Sequence, residues 1–236
     1  EMVDSEIFFE SSNLSGYRIV SEITARGLTR KAAARVLERC KLQVQDVGGN
    51  ISVRLTGPKL LQIRVMPRLI IEVPDNVTAN LVVRLSTGSL NLTGLACGRI
   101  GAWIKVGRID ARSLDAWTCE MSVDNGPIDI EVAARQLRLQ TIIGDIRVIS
   151  LRPETELSAE SVNGKIEARL NFSDEVGYRV EADNIGGSIQ VNLTNVVLTK
   201  QKSGFISVRS RDIEEKKLIT TVYARTTTGN VTIAQT

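Results

Sequence analysis

The residues of this 236-residue chain best placed to do chemistry are charged side chains that recur at one position of a short motif. In successive copies of Gly-x-aliphatic-x-aliphatic, the third residue after the glycine is Asn91, Asp110, Asp129, Arg147, Glu167 and Gln190. If the copies stack as strands in register, neighbours in this series stand about 5 Å apart in a column. Asp110 and Asp129 are then two carboxylates at the separation of a retaining glycosidase pair, or part of an oxygen cage for calcium. With Arg147 and Glu167 they form a candidate ligand-binding column, a carboxylate and Arg arrangement suited to an acidic polysaccharide. The bland alternative is an ion ladder on a wet sheet face, worth about 0–1 kcal/mol per pair. At the fifth position after the glycine, Arg112 is expected beside Glu131 as an opposite pair.

Composition removes most other chemistry. The chain has no His, hence no usual general base near neutral pH and no Ser-His-Asp or Cys-His site. Cys40, Cys97 and Cys119 are too few and too scattered for a zinc site or a disulfide framework, and read as small buried hydrophobes. No P-loop, dinucleotide fingerprint, CxxC or HExxH occurs. No catalytic residue, metal or cofactor is therefore assigned. Aromatic residues are 4% of the chain, poor for base stacking, and the net charge is only +3, so no nucleic-acid partner is expected. No apolar run reaches the length of a membrane span.

The elements that must position the column follow from the repeat. The motif begins at Gly49, Gly88, Gly107, Gly126, Gly144, Gly164, Gly187, Gly204 and Gly229, nine of the 18 glycines. Successive steps are 39, 19, 19, 18, 20, 23, 17 and 25 residues, a unit of about 19 with one copy expected through RLIIEV at 68–73. Alternation of period 2 sends Ile51, Leu90, Ile109, Ile128, Ile146, Ile166, Ile189, Ile206 and Val231 to one face, which must be buried. The second half of each unit alternates as well, as in Cys119, Met121, Val123. The glycines read as corners. A unit this short cannot bury its own apolar face, and stacking onto further copies does so. The fold class predicted is all-β: a parallel β-solenoid of about eight coils, with Ile109, Ile128 and Ile146 over one another. A β-sandwich or propeller is the alternative, but 19 residues are too few for a four-stranded blade.

An open stack needs caps. Residues 24–41 read as one amphipathic helix, with Thr29 as N-cap and Ala32, Ala33, Val36, Leu37 and Cys40 on its apolar arc. Residues 26–41 carry six Arg and Lys against Glu38, a local +5. The helix is expected to dock on the first coils, and Arg30, Arg35 and Arg39 are the candidate contacts with an anionic membrane or envelope polymer. The division expected is 1–43, an N-terminal segment with the capping helix, and 44–236, the repeat domain. The last motif, GNVTIAQT, has no visible cap, and 213–228 is expected to give partial cover. Sequons stand at Asn13, Asn50, Asn76, Asn91, Asn171, Asn192 and Asn230, a pattern that alternating polar strand positions also produce.

The runs IIEVPDNVTANLVVRLSTGSLNL, SVDNGPIDIEV and SVNGKIEARLNFSDEVGYRVEADNIGGSIQVNL resemble the "putative adhesin" family of envelope and stress-associated proteins over residues 44–236. The resemblance implies a β-solenoid-like fold at a prokaryotic cell envelope or extracellular surface, with no catalytic residues to carry over. The function expected is a non-enzymatic structural or interaction module, adhesin-like, that forms homo-oligomers through its ends or edge strands. The alternative is a carbohydrate-active protein, a glycan binder or polysaccharide-cleaving enzyme, using Asp110, Asp129, Arg147 and Glu167.

Overall fold

A computed structural model describes residues 5–26, 29–47, 50–56, 64–75, 77–171 and 173–236. Alternating apolar and polar residues make nearly all of it strand. Among the described residues there is one α-helix, one short 3-10 turn, a 15-stranded sheet and a separate two-stranded hairpin.

The motif strands form one ladder. Its members are β1 (Ser5–Ser12), β5 (Arg64–Pro74), β6 (Ala79–Thr93), β7 (Ala96–Asn125), β8 (Ile128–Ile143), β9 (Ile146–Ser150), β11 (Ile166–Leu170), β13 (Ile189–Asn192) and β17 (Val231–Gln235). All pair in parallel, and Ile109, Ile128 and Ile146 stand over one another as expected. Leu90, Ile109, Ile128, Ile146, Ile166 and Val231 are at most 1% exposed. Burial on this scale is worth about 2 kcal/mol per side chain and drives the winding.

The second halves form another ladder. It runs through β6, β7 and β8 to β10 (Glu156–Asn163), β16 (Leu218–Thr228) and β12 (Val176–Gly186), again in parallel. Leu137, Leu157, Val222 and Val180 stack inward here, as do Leu139, Ala159, Ala224 and Ala182. The corners between ladders are the glycines. A Cβ on Gly126 would run into the carbonyl oxygen of Gly107, and φ there is +141°, so only glycine fits.

Several expectations about order and ends are corrected. The C-terminal motif is not an uncapped end: β17 lies between β11 and β13, and β16 between β10 and β12. The stretch expected to give partial cover is thus an inner rung, with Val222 and Ala224 buried. RLIIEV is a rung, as expected, but β1 lies between it and β6. Residues 5–12 are therefore part of the ladder, with Ile7 and Phe9 over Leu90 and Leu92.

Two motif copies leave the parallel stack. The copy after Gly204 is β15 (Phe205–Ser210), antiparallel both to β12 and to β14 (Val196–Lys202), because a short turn joins β14 to it. Residues following Gly49, itself outside the described residues, form β4 (Asn50–Thr56). It makes an antiparallel hairpin with β3 (Lys41–Val47).

The helix is shorter than expected. α1 spans Arg30–Leu37; residues 24–26 belong to β2 (Arg18–Arg26), antiparallel to β5, and Lys41 opens β3. Strand pairing on both sides outcompetes the helical arc. Thr29 is the N-cap, its hydroxyl accepting from the Ala32 amide at 3.2 Å. α1 packs on β2 with Val36 buried.

Candidate functional site

The register sets Asn91, Asp110, Asp129, Arg147 and Glu167 side by side on the outer face of the motif ladder, followed by Thr232 and Gln190. Thr232 enters the column because β17 is inserted there.

Each carboxylate of the column is held by a guanidinium. Arg108 bonds Asp110 at 2.5 Å and Arg169 bonds Glu167 at 2.9 Å. Asp129 takes Arg112 at 3.0 Å and Arg147 at 3.9 Å. The hydrogen bond to Asp110 holds the Arg108 guanidinium above its ordinary pKa. Asp110 is thus paired with Arg108, and Asp129 separately with Arg112 and Arg147. Among the described residues no cluster of acids, Cys or His could hold a metal ion.

Arg112 does not pair with Glu131. The register of β7 against β8 slips between Ala111 and Leu114, with Ser113 at φ +53°. This bulge turns Arg112 back onto Asp129, whose carbonyl oxygen it also reaches at 3.1 Å, and leaves Glu131 beside Ile149. Arg108 and Arg169 were legible: each sits two residues from its acid, on the same face of one strand.

A second column, inside the corner, was not anticipated. Thr141, Ser161 and Thr226 donate hydroxyl bonds to the carbonyls of Gly126, Gly144 and Gly164 at 3.0–3.2 Å. The Asn184 amide reaches the Gly229 carbonyl at 2.6 Å. Each stands three residues before a corner glycine, so a Thr/Ser/Asn-x-x-Gly pattern was the available signal. These bonds satisfy carbonyls that the turn leaves unpaired.

A cleft of about 790 Å³ opens at the glycine corner nearest β1. Met66 and Pro127 contribute apolar lining, and Glu6, Glu22, Arg68 and Arg108 the charge. Arg68 lies 4.9 Å over the Phe8 ring and 3.9 Å from Glu22, so both cations of the cleft already have partners.

Arg30, Arg35 and Arg39 are exposed and make no ion pair among the described residues. Arg30 and Arg35 belong to α1, and Arg39 follows it. Cys97 and Cys119 are buried free thiols; burial pushes them up to about 11 and about 12. Of the sequons, Asn76 lies outside the described residues, and the Asn171 amide is engaged by the Leu151 carbonyl at 2.9 Å.

The Toastrack DUF4097 family model matches residues 22–234 of the chain. Among curated proteins none matches it. Among solved structures, the chain is similar to a "putative cell adhesion protein" from Clostridium sporogenes ATCC 15579. That likeness has 10% sequence identity, covers 99% of this chain and 90% of that one, and has a TM-score of 0.43.

Proposed function

The chain belongs to the Toastrack DUF4097 family, and on that premise we propose that it is a non-enzymatic interaction module, a β-solenoid offering a rigid polar wall and two sheet ends. The observation that carries this reading is the neutralised column. A carboxylate pair that works on a sugar needs its oxygens free to face the substrate. Asp110, Asp129 and Glu167 instead spend their oxygens on Arg108, Arg112, Arg147 and Arg169.

The test is an assay of acidic polysaccharide cleavage together with calcium-dependent melting, on wild type and Asp129→Asn. No activity and no calcium-induced rise in Tm are expected in either. A cleavage activity or a calcium shift lost in Asp129→Asn would establish the carbohydrate-active alternative.

Self-association through edge strands belongs to the proposal, and the N-terminal edge supports it. Antiparallel pairing of two copies of β2 about Val20 sets Arg18 of each against Glu22 of the other. Light scattering is expected to show a dimer that Glu22→Arg splits; a wild-type monomer at high concentration refutes it.

Envelope or surface placement rests on the family resemblance, and cell fractionation tests it. Contact with an anionic membrane is assigned to Arg30, Arg35 and Arg39. Vesicle co-sedimentation should fall when the three become Ser, and unchanged sedimentation removes that role.

A further inference from the structure

We propose that the free edge of β13 is a strand-addition site for an extended, acidic segment of a partner protein. This deepens the interaction-module reading and rests on it. β13 is the last strand of the motif ladder, and among the described residues it pairs only with β17. The inward residues of the preceding rungs are fully buried, whereas Ile189 and Val191 are only half-buried, because no rung lies beyond them. The Val231 amide donates to the Ser188 carbonyl at 2.9 Å. In a parallel ladder, successive residues turn their amide and carbonyl groups to opposite sides. Gln190 therefore faces β17, and Ile189 and Val191 present their backbone groups on the open side. Those same residues send their side chains inward. A strand laid there gains main-chain bonds and buries apolar side chains together.

The edge of β14 is guarded by Lys200, Lys202 and a register break between Leu198 and Lys200, and that of β2, with Arg18, Glu22 and Arg26, admits only a strand of complementary charge such as its own copy. β13, Ile-Gln-Val-Asn, carries no charge, no proline and no bulge. The charge of the occupant follows from its surroundings. Between Asp183 and Asp212 there is no acidic residue; Lys202 and Arg211 are exposed without an ion pair among the described residues, Lys200 lies exposed over the Phe205 ring, and only Arg209 is paired, with Glu214. A second copy placed by two-fold symmetry does not fit. The other ladder continues past β12 through β15 and β14, so joining two β13 edges would drive β15 of one copy into β12 of the other. β17 shows the pattern that does fit: apolar residues two apart, Val231 and Ile233, running parallel to β13.

The probe is a fluorescein-labelled peptide of residues 125–132 of this chain, NGPIDIEV, which has Ile128 and Ile130 two apart and carries Asp129 and Glu131. Fluorescence anisotropy should show saturable binding that a scrambled peptide lacks. Val191→Pro removes an open-side amide and leaves the bonds to β17; it should weaken binding at least about tenfold while the Tm holds. Lys200→Glu with Lys202→Glu should weaken binding and flatten its salt dependence. Should Val191→Pro misfold, hydrogen exchange on the wild-type protein decides: the peptide must slow the Ile189 and Val191 amides and leave those of β2 unchanged. Equal binding of the scrambled peptide, binding untouched by Val191→Pro, or capture of phosphatidylglycerol vesicles in place of the peptide overturns the proposal. A β2-mediated dimer that survives such a result would leave the module reading standing.

Discussion

A glycine at the corner of each turn is required by contact as much as by dihedral angle. At Gly126 a methyl group has nowhere to go but into the Gly107 carbonyl, which the next rung cannot move away. Gly126→Ala should therefore cost about 3 kcal/mol or more in urea unfolding. Gly16→Ala, with open space around it, should stay within about 0.5 kcal/mol. The hydroxyl column gives a gentler test: Thr141→Val leaves the Gly126 carbonyl without its donor and should cost about 1–2 kcal/mol. The thiols give a pH test. Burial raises the Cys97 and Cys119 pKa values from 9.0 to about 11 and about 12, so the folded state holds these protons more tightly than the unfolded chain. That contribution is complete below pH 9 and is lost as pH rises toward 12, so stability should fall across that window. Cys119→Ala should reduce the fall, as read by chemical denaturation at pH 8 and pH 10.5.

At the scale of elements, each end is decided by what its strand meets. α1 is short because β2 and β3 claim the residues on either side of it. Its cap is local, and Thr29→Ala should cost about 1 kcal/mol at most, read as faster exchange of the first-turn amides. The β14–β15 hairpin prolongs one ladder beyond the other, which is why β13 ends with half-buried apolar side chains. The β7 bulge has a comparable local effect: it replaces the expected Arg112–Glu131 pair by a cluster in which Arg112 joins Arg147 on Asp129.

At the scale of the molecule, both ends of the described chain are woven into the stack. β1 sits between β5 and β6, and β17 between β11 and β13. Stopping the chain after Lys217 would remove β16 and β17 together and leave β10, β11, β12 and β13 facing an empty layer. The truncated protein should lose cooperative unfolding from residue 156 onward and be cut there by limited proteolysis, with the rungs from β6 to β9 still protected. Intact cooperativity after the truncation would show that the inserted turn is dispensable.

The sequence alone determined the unit, its glycine corners, its buried alternation and the outer column of Asp110, Asp129, Arg147 and Glu167. These depend only on a backbone period of two and a spacing of about 19 residues, which any stacked copy obeys. Tertiary structure decided which copy lies on which. Ile166 is followed in space by Val231 and not by Ile189, and Leu90 by Ile7, because the copies are nearly interchangeable in shape. Order among equivalent rungs is set by long-range contacts that no local pattern encodes. The same is true of Arg112, whose partner depends on a one-residue slip between two strands.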